Sequence, residues 1–283
     1  MSAATGDLAG GVGSAPRRGP GRARRAAGDI IAPVVVFVVV VAAWEIAVGT
    51  LGVQAFILPR PSAILSALQA NWNQGFGIWP SAQATLFEAV GGFIIGTVAG
   101  VLVAFASARW LSARDALLPL AIAAGAIPII AFAPLMNNWF GVLSPLSKMM
   151  MAAVLVFFPV MANVTRGLTQ VEPSALELMR SYAASDNAIL RKVRIPNALP
   201  YFFTALKLAT TLALIGAIVG EYFGGASLVL GRIIVQSASS LKFDVTWGAI
   251  LVAAIAGIVF YLIVAAVERV VIPWHASVRS ETS

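Results

Sequence analysis

Residues 177–200 read ELMRSYAASDNAILRKVRIPNALP, a polar stretch closed by prolines and set between two long apolar runs. Just upstream, Pro173 stands where the first turn of a helix tolerates a missing N–H. From there Leu176, Met179, Tyr182 and Ala183 recur at helical spacing and share one face. Ser185 is placed to cap a second short helix, whose apolar side carries Ile189, Leu190 and Val193. Pro196 and Pro200 are expected to end that helix before the next apolar run begins. Two short amphipathic helices on a chain with no other substantial polar domain have little of their own sequence to bury against. A partner protein is the simplest cover, and a loop folded back onto the end of its own bundle is the alternative.

Outward from this stretch the chain is apolar. Hydrophobic residues make up 59% of its 283 positions and charged residues 11%, against about 25% charged in an ordinary soluble domain. Six segments are long enough to cross a bilayer: 30–51, 83–108, 116–136, 146–168, 201–221 and 246–268. The expected fold is therefore all-α, a polytopic transmembrane helical bundle of about six spans. Pro119, Pro128 and Pro134 interrupt the third segment, which neighbouring helices can tolerate. The chain has no cysteine, so disulfides, thiolate metal ligands and a cysteine nucleophile are excluded. His275 is the only histidine, and one histidine without nearby carboxylates makes no metal site.

The net charge of +7 does not signal nucleic acid. The basic residues gather at the ends of apolar segments and in the N-terminal tail rather than on a soluble, aromatic-interleaved surface. With a cytoplasmic N-terminus, only Arg60, Lys148, Arg232 and Lys242 of the 19 Lys and Arg residues fall outside. This follows the positive-inside rule. It places both termini and the 169–200 loop in the cytoplasm. Residues 1–28 are expected to be a disordered cytoplasmic tail, 29–275 the transmembrane domain, and 276–283 a second short tail. Arg24-Arg25 before an apolar run also permits a twin-arginine or signal-peptide reading, although that run is long enough to span and no cleavage-like site follows.

Outside the membrane, Ser62–Leu68 has helical apolar spacing. It is expected either to lie at the outer interface or to pack on its own bundle. Gly91, Gly92, Gly96 and Gly100 suit close helix packing, and Met149, Met150 and Met151 suit a core. Acidic residues at membrane depth are functional candidates by default. Glu45 and Glu88 fall within expected spans, and Glu221 with Tyr222 and Phe223 ends the fifth, where it would face an outer vestibule. Glu45 beside Trp44 is read as a structural hydrogen bond. Lys207 is expected to extend its amino group to the cytoplasmic interface. Asn137, Asn138 and Trp139 close the broken third segment and are read as non-helical backbone along a translocation path. For Glu177, an ion pair with Arg180 on its own helix competes with contact to a partner.

The loop resembles the E-A-A, three residues, G, nine residues, I-x-L-P pattern of permeases from binding-protein-dependent ATP-binding-cassette (ABC) importers. Glu177, Val193, Ile195 and Pro196 keep the Glu, Ile, Leu and Pro spacings. Leu178-Met179 replaces the Ala pair and Ala183 the Gly, which a helix-turn-helix accepts if Ala183 avoids the left-handed region. The similarity covers about residues 30–275. Trp44-Glu45, Leu58-Pro59-x-Pro61, Ala133-Pro134-Leu135, Trp139-Phe140-Gly141 and Ser147-Lys148 look like the sulfonate, taurine, nitrate and thiamine-precursor subgroup. Leu178-Met179-Arg180-Ser181-Tyr182 is most similar to permeases for pyrimidine-type thiamine precursors or related heterocycles.

This resemblance implies a type I importer permease fold and a pore formed by a homodimer. It implies coupling helices seated on ABC ATPase subunits, and a periplasmic or lipid-anchored binding protein that delivers a small solute. Glu177, Arg180, Tyr182, Ala183, Ser185, Val193, Ile195 and Pro196 would serve ATPase coupling. Asn137, Asn138, Trp139, Glu221 and Tyr222 are candidates for the substrate path. The chain's four lysines follow Ser147, Arg191, Leu206 and Leu241, so it has no Gly-Lys-[Ser/Thr] phosphate loop. ATP and Mg²⁺ would bind the partner ATPases, with no cofactor on this chain and no catalytic residue in it. An ion-coupled secondary carrier would call for inverted repeats and midplane charges, a membrane enzyme for convergent catalytic groups; neither is evident. A membrane adaptor would purify without ATPase subunits.

Overall fold

The computed structural model describes residues 22–109, 128–226 and 228–273, all helical or connecting, with no strand among them. The tails at 1–21 and 274–283, with His275, lie outside the described residues, as does most of the expected third segment. The chain divides into two compact units, Met1–Gly52 and Val53–Ser283.

The first unit is a single helix, α1 (Arg22–Thr50). It begins within the stretch expected to be disordered, where Arg and Ala are strong helix formers. Its span Ile31–Thr50 carries Val34 to Val40 exposed in succession, a surface made for lipid or a neighbouring helix rather than water.

The second unit contains α2 (Pro61–Ala70), α3 (Ile78–Arg109), α4 (Ala133–Phe140), α5 (Pro145–Thr169), α6 (Pro173–Ser181), α7 (Asp186–Ile189), α8 (Ile195–Phe223), α9 (Leu230–Ser239) and α10 (Phe243–Val271). With α1, five helices among the described residues are long and apolar enough to cross a membrane, where six segments were expected. The described end of the third segment is a 3₁₀ turn, Ile129–Phe132, leading into α4. Pro134 starts α4 at its first turn rather than breaking a helix. Asn137, Asn138 and Trp139 are thus helical, not irregular backbone.

Small residues decide how the helices meet. A Cβ at Gly91 would stand 2.7 Å from the Met149 sulfur, one at Gly96 2.5 Å from the Ala153 carbonyl oxygen, and one at Gly100 2.9 Å from the Phe157 carbonyl oxygen. The stripe therefore brings α3 backbone to backbone with α5, and the pairing shows that they run parallel. Helix α8 returns antiparallel along α5, with Gly216 against Ala152 and Gly220 against Lys148. Ala152, Val156, Val160, Ala205, Ala209 and Ala213 fill the shared core. In lipid such close approach, through dispersion rather than water exclusion, drives association. Met151 is wholly buried there. Helix α2 settles the choice posed for Ser62–Leu68 in favour of packing, since Ile64 and Ala67 are buried against α10.

The prolines behave differently from expectation. Pro196 and Pro200 do not end a helix: α7 passes through a π turn, Leu190–Arg194, directly into α8. The Ile195 N–H reaches the Leu190 carbonyl, five residues back. Pro196, falling in the first turn of the renewed α-helix, needs no donor. The result is one helical run, Asp186–Phe223.

Candidate functional site

The loop end of the unit is built as the sequence suggests, with one exception. Pro173 opens α6, and Ser185 caps α7 by accepting the Ala188 N–H at 3.4 Å. Between them α6 ends in a Schellman motif. The Ala183 N–H donates to the Arg180 carbonyl at 2.9 Å, and the Ala184 N–H to the Met179 carbonyl at 3.0 Å. This closure sends the chain through the left-handed region at Ala183, whose φ is 51°. The expectation that Ala183 avoids that region is overturned, because both bonds require it. A Cβ there costs about 1–2 kcal/mol, which explains why glycine suits this position.

No residue of α6 is buried. Leu178 is 57% exposed and Tyr182 76%, so the helix is not folded back on its own bundle. Glu177 is exposed and forms no ion pair with Arg180. Arg191 and Lys192 project to solvent from the π turn, while Val193 and Ile195 are half-buried at its base. The base itself is tied down by Asn197, which sequence reasoning missed. Its Nδ2 donates to the Gly167 carbonyl at 2.8 Å and the Gln170 carbonyl at 3.2 Å, satisfying orphan acceptors at the C-terminus of α5. A polar side chain directly after Pro196, at the threshold of an apolar run, was the available signal.

The opposite end is closed. Glu221 is fully buried rather than facing a vestibule, and its Oε2 accepts the Gly231 N–H at 2.6 Å. It thereby caps α9, where backbone donors point outward and a carboxyl group fits them. Thr85 Oγ1 accepts the Leu230 N–H at 2.9 Å, fixing the same terminus to α3. Glu88 lies beside Glu221, and Lys148 is the basic group acting on both. Lys148 is fully buried and donates to the Val142 carbonyl, with the Ser144 carbonyl at 3.4 Å. Glu88 Oε2 and Glu221 Oε1 accept no hydrogen bond among the described residues. Asn137 joins this construction: it accepts from Ser147 Oγ at 2.6 Å and donates to the Phe223 carbonyl at 3.3 Å. Asn138, Trp139 and Tyr222 stay exposed nearby on α4 and α8. Lys148 was missed as a partner of the two acids, although it is the sole Lys or Arg in the fourth segment before Arg166.

A third polar contact lies along α8. Lys207, expected to extend toward the cytoplasmic interface, finds a partner near the C-terminal end of α10. Its Nζ sits 2.7 Å from Glu268 Oε2 on α10, in a largely screened setting. Phe203, Leu206, Phe260 and Val264 form the apolar cluster on these same helices.

Comparison with known proteins bears on all of this. Residues 96–275 match the family described as binding-protein-dependent transport system inner membrane component. A protein named "Probable ABC transporter permease protein" from Haemophilus influenzae is 33% identical over 79% of this chain and 89% of its own length. The riboflavin transport system permease protein RibX of Chloroflexus aurantiacus is 30% identical over 83% of this chain and 86% of its own. The formylaminopyrimidine transport permease protein ThiX of Halalkalibacterium halodurans is 29% identical over 86% and 95%. The match takes in the α6–α7 loop and the helices that carry it, and a transport permease rather than an enzyme, a secondary carrier or an adaptor accounts for the bundle. The chain belongs to the inner membrane components of binding-protein-dependent transport systems, multi-pass permease subunits of ABC importers that work with ATPase and substrate-binding partners.

Proposed function

We propose that two copies of this chain form the pore and that each seats its α6–α7 loop on an ABC ATPase subunit, which alone binds ATP and Mg²⁺. Glu177, Arg180, Tyr182, Ala183 and Ser185 form the contact, with Val193, Ile195 and Pro196 joining it to α8. The loop and both termini are cytoplasmic, and a binding protein delivers solute at the opposite end, where Asn138, Trp139 and Tyr222 border the path. Asn137 and Glu221 act there by holding those elements in place. Similarity to relatives named for riboflavin and formylaminopyrimidine transport supports a small heterocycle as cargo. The observation that carries the docking role is an amphipathic helix with no buried residue of its own chain. ATP-driven exchange between inward- and outward-facing states then requires the ATPases to bind those states unequally through this loop.

The test is the reconstituted complex of permease, ATPases and binding protein. Glu177→Ala combined with Ala183→Pro, which cannot adopt a positive φ, should abolish ATPase stimulation by loaded binding protein. Full stimulation in an assembled complex would refute the docking role.

A further inference from the structure

The 38 residues from Asp186 to Phe223 form a helical rod about 57 Å long at 1.5 Å per residue. One end emerges from the exposed loop and the other carries Glu221. Between them Lys207 and Glu268 join α8 to α10 at 2.7 Å. Packing with Phe203, Leu206, Phe260 and Val264 surrounds that stretch, and an apolar pair would fit it without the cost of desolvating two charges. Replacing buried ion pairs by well-packed apolar residues is often neutral or stabilising, so stability alone does not account for the pair. What it adds is direction. Apolar side chains slide past one another within a broad minimum, whereas a 2.7 Å contact between single groups holds one axial register.

Helix α10 in turn packs against α9, linked through Ser237 Oγ and Thr246 Oγ1, both buried and 2.7 Å apart. The N-terminus of α9 is held by Glu221 of α8. The contacts therefore form a closed circuit from α8 to α10, to α9 and back to α8. Only the Lys207–Glu268 contact lies on the loop side of it.

We propose that Lys207 and Glu268 are positioning residues for transport. They make α10 travel with α8 when the loop is displaced, so that movement at the loop reaches α9 at the far end. This rests on the docking role proposed above for the α6–α7 loop. Neither residue belongs to the docking surface or to the closed polar cluster.

The experiment uses the full complex of permease, ATPases and binding protein in proteoliposomes. Four permeases are compared with wild type: Lys207→Met, Glu268→Gln, the apolar double Lys207→Met/Glu268→Leu, and the exchange Lys207→Glu/Glu268→Lys. The apolar double leaves no lone buried charge, so it should fold and assemble even where a single variant does not. Its basal ATPase activity should be unchanged, while stimulation by loaded binding protein and solute uptake fall about tenfold, within the range of ordinary coupling energies. The exchange should recover at least half of both. Wild-type coupling in the apolar double, or no recovery in an assembled exchange variant, would overturn the proposal. Failure of the wild-type permease to bind ATPase subunits would instead refute the docking reading, and is read independently by co-purification.

Discussion

At each end of the helical unit one helix finishes in a Schellman motif with a side chain where glycine fits best. At the loop end this is α6 with Ala183 at φ 51°; at the other it is α9 with Leu241 at φ 57°. There the Leu241 N–H meets the Ala238 carbonyl at 3.0 Å and the Lys242 N–H the Ser237 carbonyl at 2.9 Å. The backbone solution is shared, and the surroundings are not. At Leu241, itself exposed, Lys242 sits 5.5 Å over the Phe76 ring, and the other terminus of α9 is held inside the unit, where buried Thr85 and Glu221 accept the Leu230 and Gly231 N–H groups. Around Ala183 no side chain of α6 is buried, and Glu177 has no ion-pair partner among the described residues. The motif is the same, but α9 has buried residues within its own unit and α6 has none, which is why α6 is the helix proposed to dock on another protein.

The sharpest way to break this contrast is Lys148→Ala. It removes the one basic group beside two buried carboxyl groups, and breaking such a cluster costs about 3–5 kcal/mol. A large fall in thermal unfolding temperature and loss of monodisperse protein in detergent are expected; a wild-type melting curve would show that the closed end is not held together this way. A smaller and opposite effect is expected at the two left-handed positions. Ala183→Gly and Leu241→Gly should each stabilise by about 1 kcal/mol, the relieved strain less the added freedom of glycine in the unfolded chain. Both are exposed, so similar gains in unfolding temperature would confirm that the motif is common to both ends. The smallest effect on stability belongs to Glu177→Gln, within about 0.5 kcal/mol as for an unpartnered surface site. The same variant should reduce stimulated ATPase activity, so a melting shift without a coupling defect would reverse the assignment of the loop end.

Much of this architecture is legible in the sequence. Pro173 and Ser185 mark the starts of α6 and α7 because caps are set by a few adjacent residues. Gly91, Gly96 and Gly100 announce a close helix contact because nothing larger permits one. Pro196 misled for a definite reason: the rule that proline ends a helix assumes an α ladder, and the π turn before Pro196 removes the bond it would break, while Pro200 lies inside α8, where a membrane helix tolerates it. The closed end was legible only as separate residues. Thr85 and Leu230 are 145 positions apart, and which acid faces Lys148 depends on the rotation of α3 and α8 about their axes. Local spacing does not specify that rotation. Glu221 was thus expected to face solute when its partner is a backbone N–H of the following helix. Asn197 was passed over because its acceptors belong to the end of α5, across the whole loop.

The π turn at Leu190–Arg194 also sets a phase. A π turn holds one residue more than the α turn it replaces, so removing a single residue from it would leave an uninterrupted α-helix. Everything on its N-terminal side would then swing about 100° around the axis of α8. The loop would keep its sequence, its caps and its exposure, yet Glu177 and Tyr182 would look out in a new direction. If the loop docks as proposed, the count of residues between Ile189 and Ile195 sets the direction in which it meets the ATPase, and a one-residue deletion there should uncouple transport while keeping every proposed contact residue.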